Sequence, residues 1–294
     1  MATYIPWDSQ PLDAWSEKYA AGKTTDLDGR RTHFVDDGSG PAVILIHGFF
    51  FDSFTWHNNI PGLAERFRVL APDLWGFGYS TRKPLDYGYP LFTEQILMLM
   101  DKLGVEKASL VGHSMGGGTA IYFATHHPHR VHKLLLVDSV GMPNPLPLLG
   151  RITNLPLVGE LMYGTRGDFV RKMALKTNWF YDDDYITDDY FERATRFQKV
   201  KGSSKVMLTI LRKEFFNTLR AEVQALGDLD IPVLIVWGRH DTAVPLERGR
   251  EMHSLLPQSR LQIFDDVGHC PHDETSAAFN HIALEFLASR ELTH

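Results

Sequence analysis

An α/β fold is predicted, with a mostly parallel central sheet flanked by helices and an inserted helical cap, and three observations predict it. Apolar runs recur along the chain, among them Ala42-Val43-Ile44-Leu45-Ile46, Leu134-Leu135-Leu136-Val137 and Val233-Leu234-Ile235-Val236-Trp237. Unbroken runs of this length mark strands covered on both faces, and stretches of helical period lie between them. A glycine-rich turn, Gly112-His113-Ser114-Met115-Gly116-Gly117-Gly118, joins the apolar run Ala108-Ser109-Leu110-Val111 to a helical stretch. From 142 to about 228 there is no good core strand but several amphipathic segments, at 166–176, 188–200 and 203–219. The expected division is therefore a core of residues 1–141 and 229–294 carrying a helical cap at 142–228.

Taken in order, residues 1–23 carry Trp7, Leu12, Trp15 and Tyr19, with Pro11 at a helix start, and predict a short helix packed on the body. Asp28-Gly29 between two strand-like runs predicts a hairpin that opens the sheet. His33 alternates with apolar neighbours there and is expected on the strand surface. The run 42–46 ends in His47-Gly48-Phe49-Phe50, where glycine lets the loop fold back over the sheet. His47 is expected to orient this loop by hydrogen bonding. Phe67-Arg68-Val69-Leu70-Ala71-Pro72 is a further strand, and Asp73 is expected to fix the glycine-rich loop after it. Residues 90–103 have helical spacing and stop at Gly104. His126, His127, His129 and His132 cluster at the end of the next helix, but Pro128 interrupts them and no cysteine or carboxylate completes a metal set. A solvated helix end is expected, and no metal. Leu261-Gln262-Ile263-Phe264 is the last strand, and a helix over 275–290 closes the chain.

Composition narrows the function classes. Hydrophobic residues make up 44% of the 294, enough for a sizeable core. The net charge of −6 and the lack of a long Lys/Arg run give no nucleic-acid footprint. Cys270 is the single cysteine, so no disulfide forms within the chain. The N-terminus has no basic stretch followed by an apolar one, and no segment is apolar enough over enough length to span a bilayer. A soluble, cytoplasmic protein is expected.

The glycine-rich turn carries the chemistry. A serine at a sharp strand-to-helix turn is held in a strained conformation with its oxygen exposed. Larger residues at 112 and 116 would collide with neighbouring backbone, so glycine fits there. The Met115 amide lies at a helix N-terminus, where negative charge is favoured, and the Phe49 amide is the candidate second donor for an oxyanion. Asp241 and His269 each fall just past the C-terminal end of a predicted strand, as Ser114 does. In a parallel sheet those ends share one edge, so the three can converge. Asp138 also follows a strand and is the rival acid; His272 is the rival base.

The chain resembles the α/β-hydrolase superfamily over nearly its whole length. The motifs that carry the resemblance are His47-Gly48-Phe49, Asp73-Leu74-Trp75-Gly76-Phe77-Gly78-Tyr79-Ser80, Gly112-His113-Ser114-Met115-Gly116-Gly117, Gly238-Arg239-His240-Asp241 and Gly268-His269-Cys270-Pro271-His272. The resemblance implies that Ser114 attacks an acyl carbon, His269 takes and returns its proton, and Asp241 holds the imidazole. It implies that the Phe49 and Met115 amides bind the oxyanion, without cofactor. The expected reaction is hydrolysis of carboxylic esters of small to medium apolar molecules. His113 before the serine favours ester hydrolysis over the carbon–carbon bond hydrolases, which usually have Asn there and need a cation for a substrate carboxylate. Arg166, Arg171, Arg193 and Arg196 are candidates for that cation. Lactonase and perhydrolase chemistry, and a ligand receptor of the same fold, are the other readings. Phe49, Phe50, Phe51, Trp56 and Trp75 gather near the predicted mouth. The expected pocket takes in Phe50, Trp75, His113, Leu148 and Leu161.

Overall fold

A computed structural model describes residues 5–145, 151–152, 154–165 and 167–289. Eight strands form one sheet: β1 (Lys23–Leu27), β2 (Arg30–Gly38), β3 (Ala42–Ile46), β4 (Arg68–Pro72), β5 (Ala108–His113), β6 (Val131–Val137), β7 (Val233–Gly238) and β8 (Ser259–Phe264). Their spatial order is β1-β2-β4-β3-β5-β6-β7-β8. β2 runs antiparallel to β1 and β4, and every other neighbouring pair is parallel. The hairpin turns on Asp28 and Gly29, both at positive φ.

Alternation along each strand explains why the central runs are apolar without a break. Ile44, Ile46, Leu110, Leu134, Leu136 and Ile235 join one buried cluster with the helices Tyr89–Lys102, Met115–His126, Arg220–Gly227 and Leu246–Leu255. Val43, Leu45, Val69, Leu135, Val137 and Val236 face the other side, against the helices Ile60–Ala64 and Ser276–Ala288. A parallel sheet covered on both sides needs both alternating sets to be apolar.

Between β6 and β7 the described residues contribute no strand to the sheet. They form the helices Val158–Thr165, Asp168–Trp179, Asp188–Thr195, Ser203–Lys213 and Arg220–Gly227, with short 3-10 turns. Within the amphipathic segment 203–219 the helix ends at Lys213, and Glu214 takes φ 49°. The break turns Phe216 toward the sheet edge. Likewise the helix from Asp188 ends at Thr195 and gives way to a 3-10 turn over Arg196–Lys199. A small separate core of Trp7, Phe51, Leu175, Phe180, Tyr190, Phe191 and Cys270 lies under these helices. The helix Leu12–Tyr19 packs against them too, with the Trp15 indole N–H donating to Arg196 O at 3.0 Å.

His33 departs from expectation. It is buried, with Nδ1–H donating to Asp73 Oδ2 at 2.7 Å and Nε2–H donating to Ala21 O at 3.1 Å. Both ring nitrogens face acceptors, so the ring is an imidazolium. Burial opposes its charge, but Asp73 outweighs that and its pKa is raised. The loop after β4 hangs on Asp73, which also accepts from Ser53 N–H at 2.8 Å and Tyr79 N–H at 2.7 Å. His47 bridges the neighbouring loops: Nδ1–H donates to Gly48 O at 2.8 Å, and Nε2 accepts from Leu74 N–H at 2.9 Å.

Candidate active site

Ser114 lies between β5 and the helix Met115–His126 at φ 52°, ψ −117°. A non-glycine residue held there stores about 1–3 kcal/mol of strain, which the surrounding structure must impose. A Cβ on Gly112 would fall 2.4 Å from Gly116 O, and one on Gly116 would fall 2.1 Å from Ile46 O. Ser114 N–H donates to Val137 O at 2.9 Å, and Ser114 O accepts from Val140 N–H at 3.2 Å, so β6 and its loop hold the turn.

His269 stands on the loop after β8, its N–H donating to Trp179 O at 2.8 Å. Its ring Nδ1–H donates to Asp241 Oδ2 at 2.7 Å. The carboxylate only accepts, so Nδ1 carries the proton and Nε2 remains as the basic nitrogen. Asp241 Oδ1 accepts from the amides of Ala243 at 2.8 Å and Val244 at 2.9 Å, which fixes the carboxylate on the loop after β7. Of the two acids that the sequence left open, Asp241 is the one bonded to the ring. Asp138 lies behind it, with Oδ1 accepting from Gly238 N–H at 3.0 Å. Burial, then the charge of Asp241, pushes the Asp138 carboxyl well above the usual carboxylate range. The rival base His272 is buried, with Nε2 at 2.9 Å from the Thr55 hydroxyl.

Ser114, His269, Phe49 and Met115 line one cavity of about 190 Å³. Phe49, Phe50, Trp179 and Phe216 make its aromatic wall; Phe50 and Trp179 have ring centroids 5.2 Å apart, Phe49 and Phe216 5.4 Å. Val140, Asn144, Pro145, Asn217, Ala243 and Val244 complete the lining. A second chamber of about 330 Å³ shares Asn144, Pro145, Phe216 and Asn217 with the first and carries Arg151 and Glu214.

Of the expected pocket residues, Phe50 lines the cavity and three others do not. Trp75 is fully buried beneath the β4 loop, its indole N–H donating to Thr32 Oγ1 at 2.8 Å. His113 is fully buried behind the serine, where Nε2–H donates to His269 O at 2.9 Å. Burial, then the neighbouring rings of His272 and His269, keeps its imidazole well below the ordinary range. Leu161 is 65% exposed on the helix Val158–Thr165 and is not among the residues that line the cavity. Leu148 lies outside the described residues. Phe51 and Trp56, expected near the mouth, are buried in the cores on either side. Trp179 and Phe216 had no local signal: their side chains reach the serine only because the inserted helices fold back over the sheet edge.

The arginines expected to serve a carboxylate are engaged elsewhere. Arg171 donates to Gln198 Oε1 at 2.9 Å and lies over Trp7 at 4.1 Å, Arg193 lies over Phe54 at 4.7 Å, and Arg196 pairs with Glu192. Arg166 lies outside the described residues. Among the described helices none is long and apolar enough to cross a membrane.

A family model for the alpha/beta hydrolase fold matches residues 41–276. The chain is 30% identical to the 2-hydroxy-6-oxo-6-phenylhexa-2,4-dienoate hydrolase of Burkholderia cepacia over 94% of its own length and 98% of that protein's. Among solved structures it is similar to a meta-cleavage product hydrolase from Pseudomonas fluorescens IP01, with TM-score 0.79, 28% identity, and coverage of 90% of this chain and 97% of that one. A thermophilic esterase from Thermogutta terrifontis is similar at TM-score 0.75 and 26% identity, over 90% of this chain and 96% of that one.

Proposed function

Because the chain belongs to the alpha/beta hydrolase family, we propose that it hydrolyses the bond beside a carbonyl group with Ser114 as nucleophile, His269 as base and Asp241 as orienting acid. Ser114 Oγ attacks the carbonyl carbon as its proton passes to His269 Nε2. The amides of Phe49 and Met115 receive the oxyanion, a contribution of about 3–4 kcal/mol per donor in comparable sites. His269 returns the proton to the leaving fragment, and water then cleaves the acyl-enzyme by the same base. The helices between β6 and β7 act as a cap that supplies the aromatic wall and excludes water.

The scissile bond is a carbon–carbon bond of a vinylogous diketo acid, the chemistry that the names of the dienoate-hydrolysing relatives describe. The observation that carries this reading is the shape and charge of the two chambers. The serine chamber is lined mainly by apolar side chains, suited to an aromatic or alkyl ketone end. The adjoining chamber is lined by Arg151, a cation for a distal carboxylate, and by Glu214, whose carboxylate accepts from Asn154 Nδ2 at 3.3 Å. The leaving fragment departs as an extended enolate, its charge delocalised onto the distal keto oxygen, and the proton held by His269 returns to that fragment.

A second reading, ester hydrolysis, is favoured by His113 before the serine and by the uncharged lining of the serine chamber among the described residues. Steady-state hydrolysis of 2-hydroxy-6-oxo-dienoates and of a graded p-nitrophenyl ester series separates the two. The dienoates are expected to turn over, with Ser114→Ala losing at least about a thousandfold. Arg151→Gln is expected to raise KM for the acids and leave KM for the esters alone. Turnover of esters only would establish the second reading, and full activity in Ser114→Ala would overturn both.

A further inference from the structure

Asp138 is a buried acid that the reaction just described does not use. It follows β6 directly at φ 42°, a left-handed conformation that strains a residue with a Cβ. Its N–H donates to Val236 O at 3.0 Å, and its Oδ1 accepts from Gly238 N–H at 3.0 Å. Its Oδ2 is buried and meets no donor among the described residues. An ionised oxygen left so would be an unpaired buried charge, which the fold strongly disfavours. What the carboxyl faces is another carboxylate: Asp138, Asp241 and His269 each bring an atom within 4.8 Å of the others. Asp241 already accepts three hydrogen bonds, from the His269 ring and from two amides. Two ionised carboxylates cannot share such a site; one proton between them turns repulsion into a strong charge-assisted hydrogen bond.

We propose that Asp138 is a positioning residue, a carboxylic acid whose Oδ2–H donates to Asp241 and completes a buried chain His269–Asp241–Asp138. Asp241 keeps the negative charge because its donors are the ring N–H and two amides, whereas Asp138 has one amide. The other titratable groups facing Asp138 agree with a neutral side chain there. Glu274 adds negative charge from the helix Pro271–Glu274, and the buried Cys270 thiol sits in the same acidic surroundings. The hydrogen bond steadies the carboxylate that orients the base, while the strained backbone at 138 ties that carboxylate to β6 and, through Val137 O, to the serine turn.

The inference rests on the proposed roles of Ser114, His269 and Asp241, and its test reads the chain with and without turnover. Rates of Ser114 labelling by an organophosphonate, kcat and KM, and the NMR titration of the His269 ring are compared in wild type, Asp138→Ala and Asp138→Asn. Asparagine keeps a donor toward Asp241 and an acceptor for Gly238 N–H. Asp138→Ala is expected to lower kcat and the labelling rate by about tenfold or more with KM unchanged, and Asp138→Asn to restore most of the loss. Because both the acid and its amide are neutral, Asp138→Asn is expected to move the His269 midpoint by less than about 0.3 unit. A fall of about one unit or more in Asp138→Asn would mean that Asp138 and Asp241 are both ionised, and would overturn the proposal. So would wild-type labelling in Asp138→Ala. If alanine does not fold, the Asp138→Asn titration decides alone. Failure of the enzyme to turn over any substrate, with the titration as expected, would sink the functional reading and leave this one standing.

Discussion

At the residue scale the serine turn shows why five positions spell a site. Ser114 can hold φ 52° because Gly112 and Gly116 let two strands and a helix meet at van der Waals distance. Gly116 is the tighter constraint: its missing Cβ would sit 2.1 Å from a carbonyl of β3, and backbone cannot yield as a side chain can. Gly116→Ala is therefore expected to lower unfolding free energy by about 3 kcal/mol in urea titrations and to abolish hydrolysis. Gly167, where a Cβ meets nothing within 4 Å, supplies the control, and Gly167→Ala should lose no more than about 1 kcal/mol, the cost of a poorer N-cap. An unchanged midpoint in Gly116→Ala would show that β3 and the serine helix can separate. This much is local, and the glycine spacing announces it in the sequence. The environment of His33 is not local. Its alternation with apolar neighbours suggests an outward face, yet the chain before β1 and the loop after β4 close over it.

At the scale of elements, that closure makes a pH-dependent tie between β2 and the β4 loop. The His33 pKa is raised, so its contribution to stability is complete below the ordinary imidazole pKa and fades as pH rises through the folded value. The Asp73 pKa is lowered; burial opposes this, but His33 outweighs it, so its contribution is present above the ordinary carboxylate range and fades in acid. Between these limits, removing the imidazolium strands a buried carboxylate. His33→Leu is expected to cost about 3–5 kcal/mol at pH 6, and less at pH 9, where wild type has begun to lose the same interaction. Urea midpoints at the two pH values check this, and a gap that does not narrow would mean that the pair is not ionic. Elements also show where periodicity misleads. The pattern over 203–219 is helical throughout, but Glu214 breaks it, and the break delivers Phe216 to the cavity.

Across the whole molecule, the helices between β6 and β7 are stitched to the loop that carries His269. Asp273, four residues beyond His269, is buried under them and accepts from Tyr185 Oη at 2.5 Å, from Tyr190 Oη, and from Asn58 Nδ2 at 3.0 Å. Tyr181 N–H donates to Glu274 Oε2 at 2.7 Å, and Trp179 O accepts from His269 N–H. Asp273→Ala removes the acceptor of the buried Tyr190 phenol, left unpaired at about 1–3 kcal/mol, while the half-buried Tyr185 keeps its bond to the backbone carbonyl of residue 273 at 3.0 Å. It is expected to speed proteolysis within 142–228 and to raise KM, through the Trp179 wall, more than it lowers kcat. Equal protease resistance in wild type and variant would show that the helices are held by apolar packing alone.

What the sequence determined by itself was whatever depends on near neighbours. The strands read from unbroken apolar runs because both sheet faces are covered. The Asp28-Gly29 hairpin read from its φ requirement, and the serine turn from glycines that sterics demand. The order of Ser114, Asp241 and His269 at strand ends follows from the same local signals. The tertiary structure alone decided which acid meets the imidazole, since Asp138 and Asp241 end adjacent strands and differ only in how their loops turn. It also decided which aromatic residues face the serine, placing Trp179 and Phe216 there and Trp75 in the core. Those choices are made by contacts between segments far apart in the chain, whose energies depend on shape and burial that no short window of residues contains.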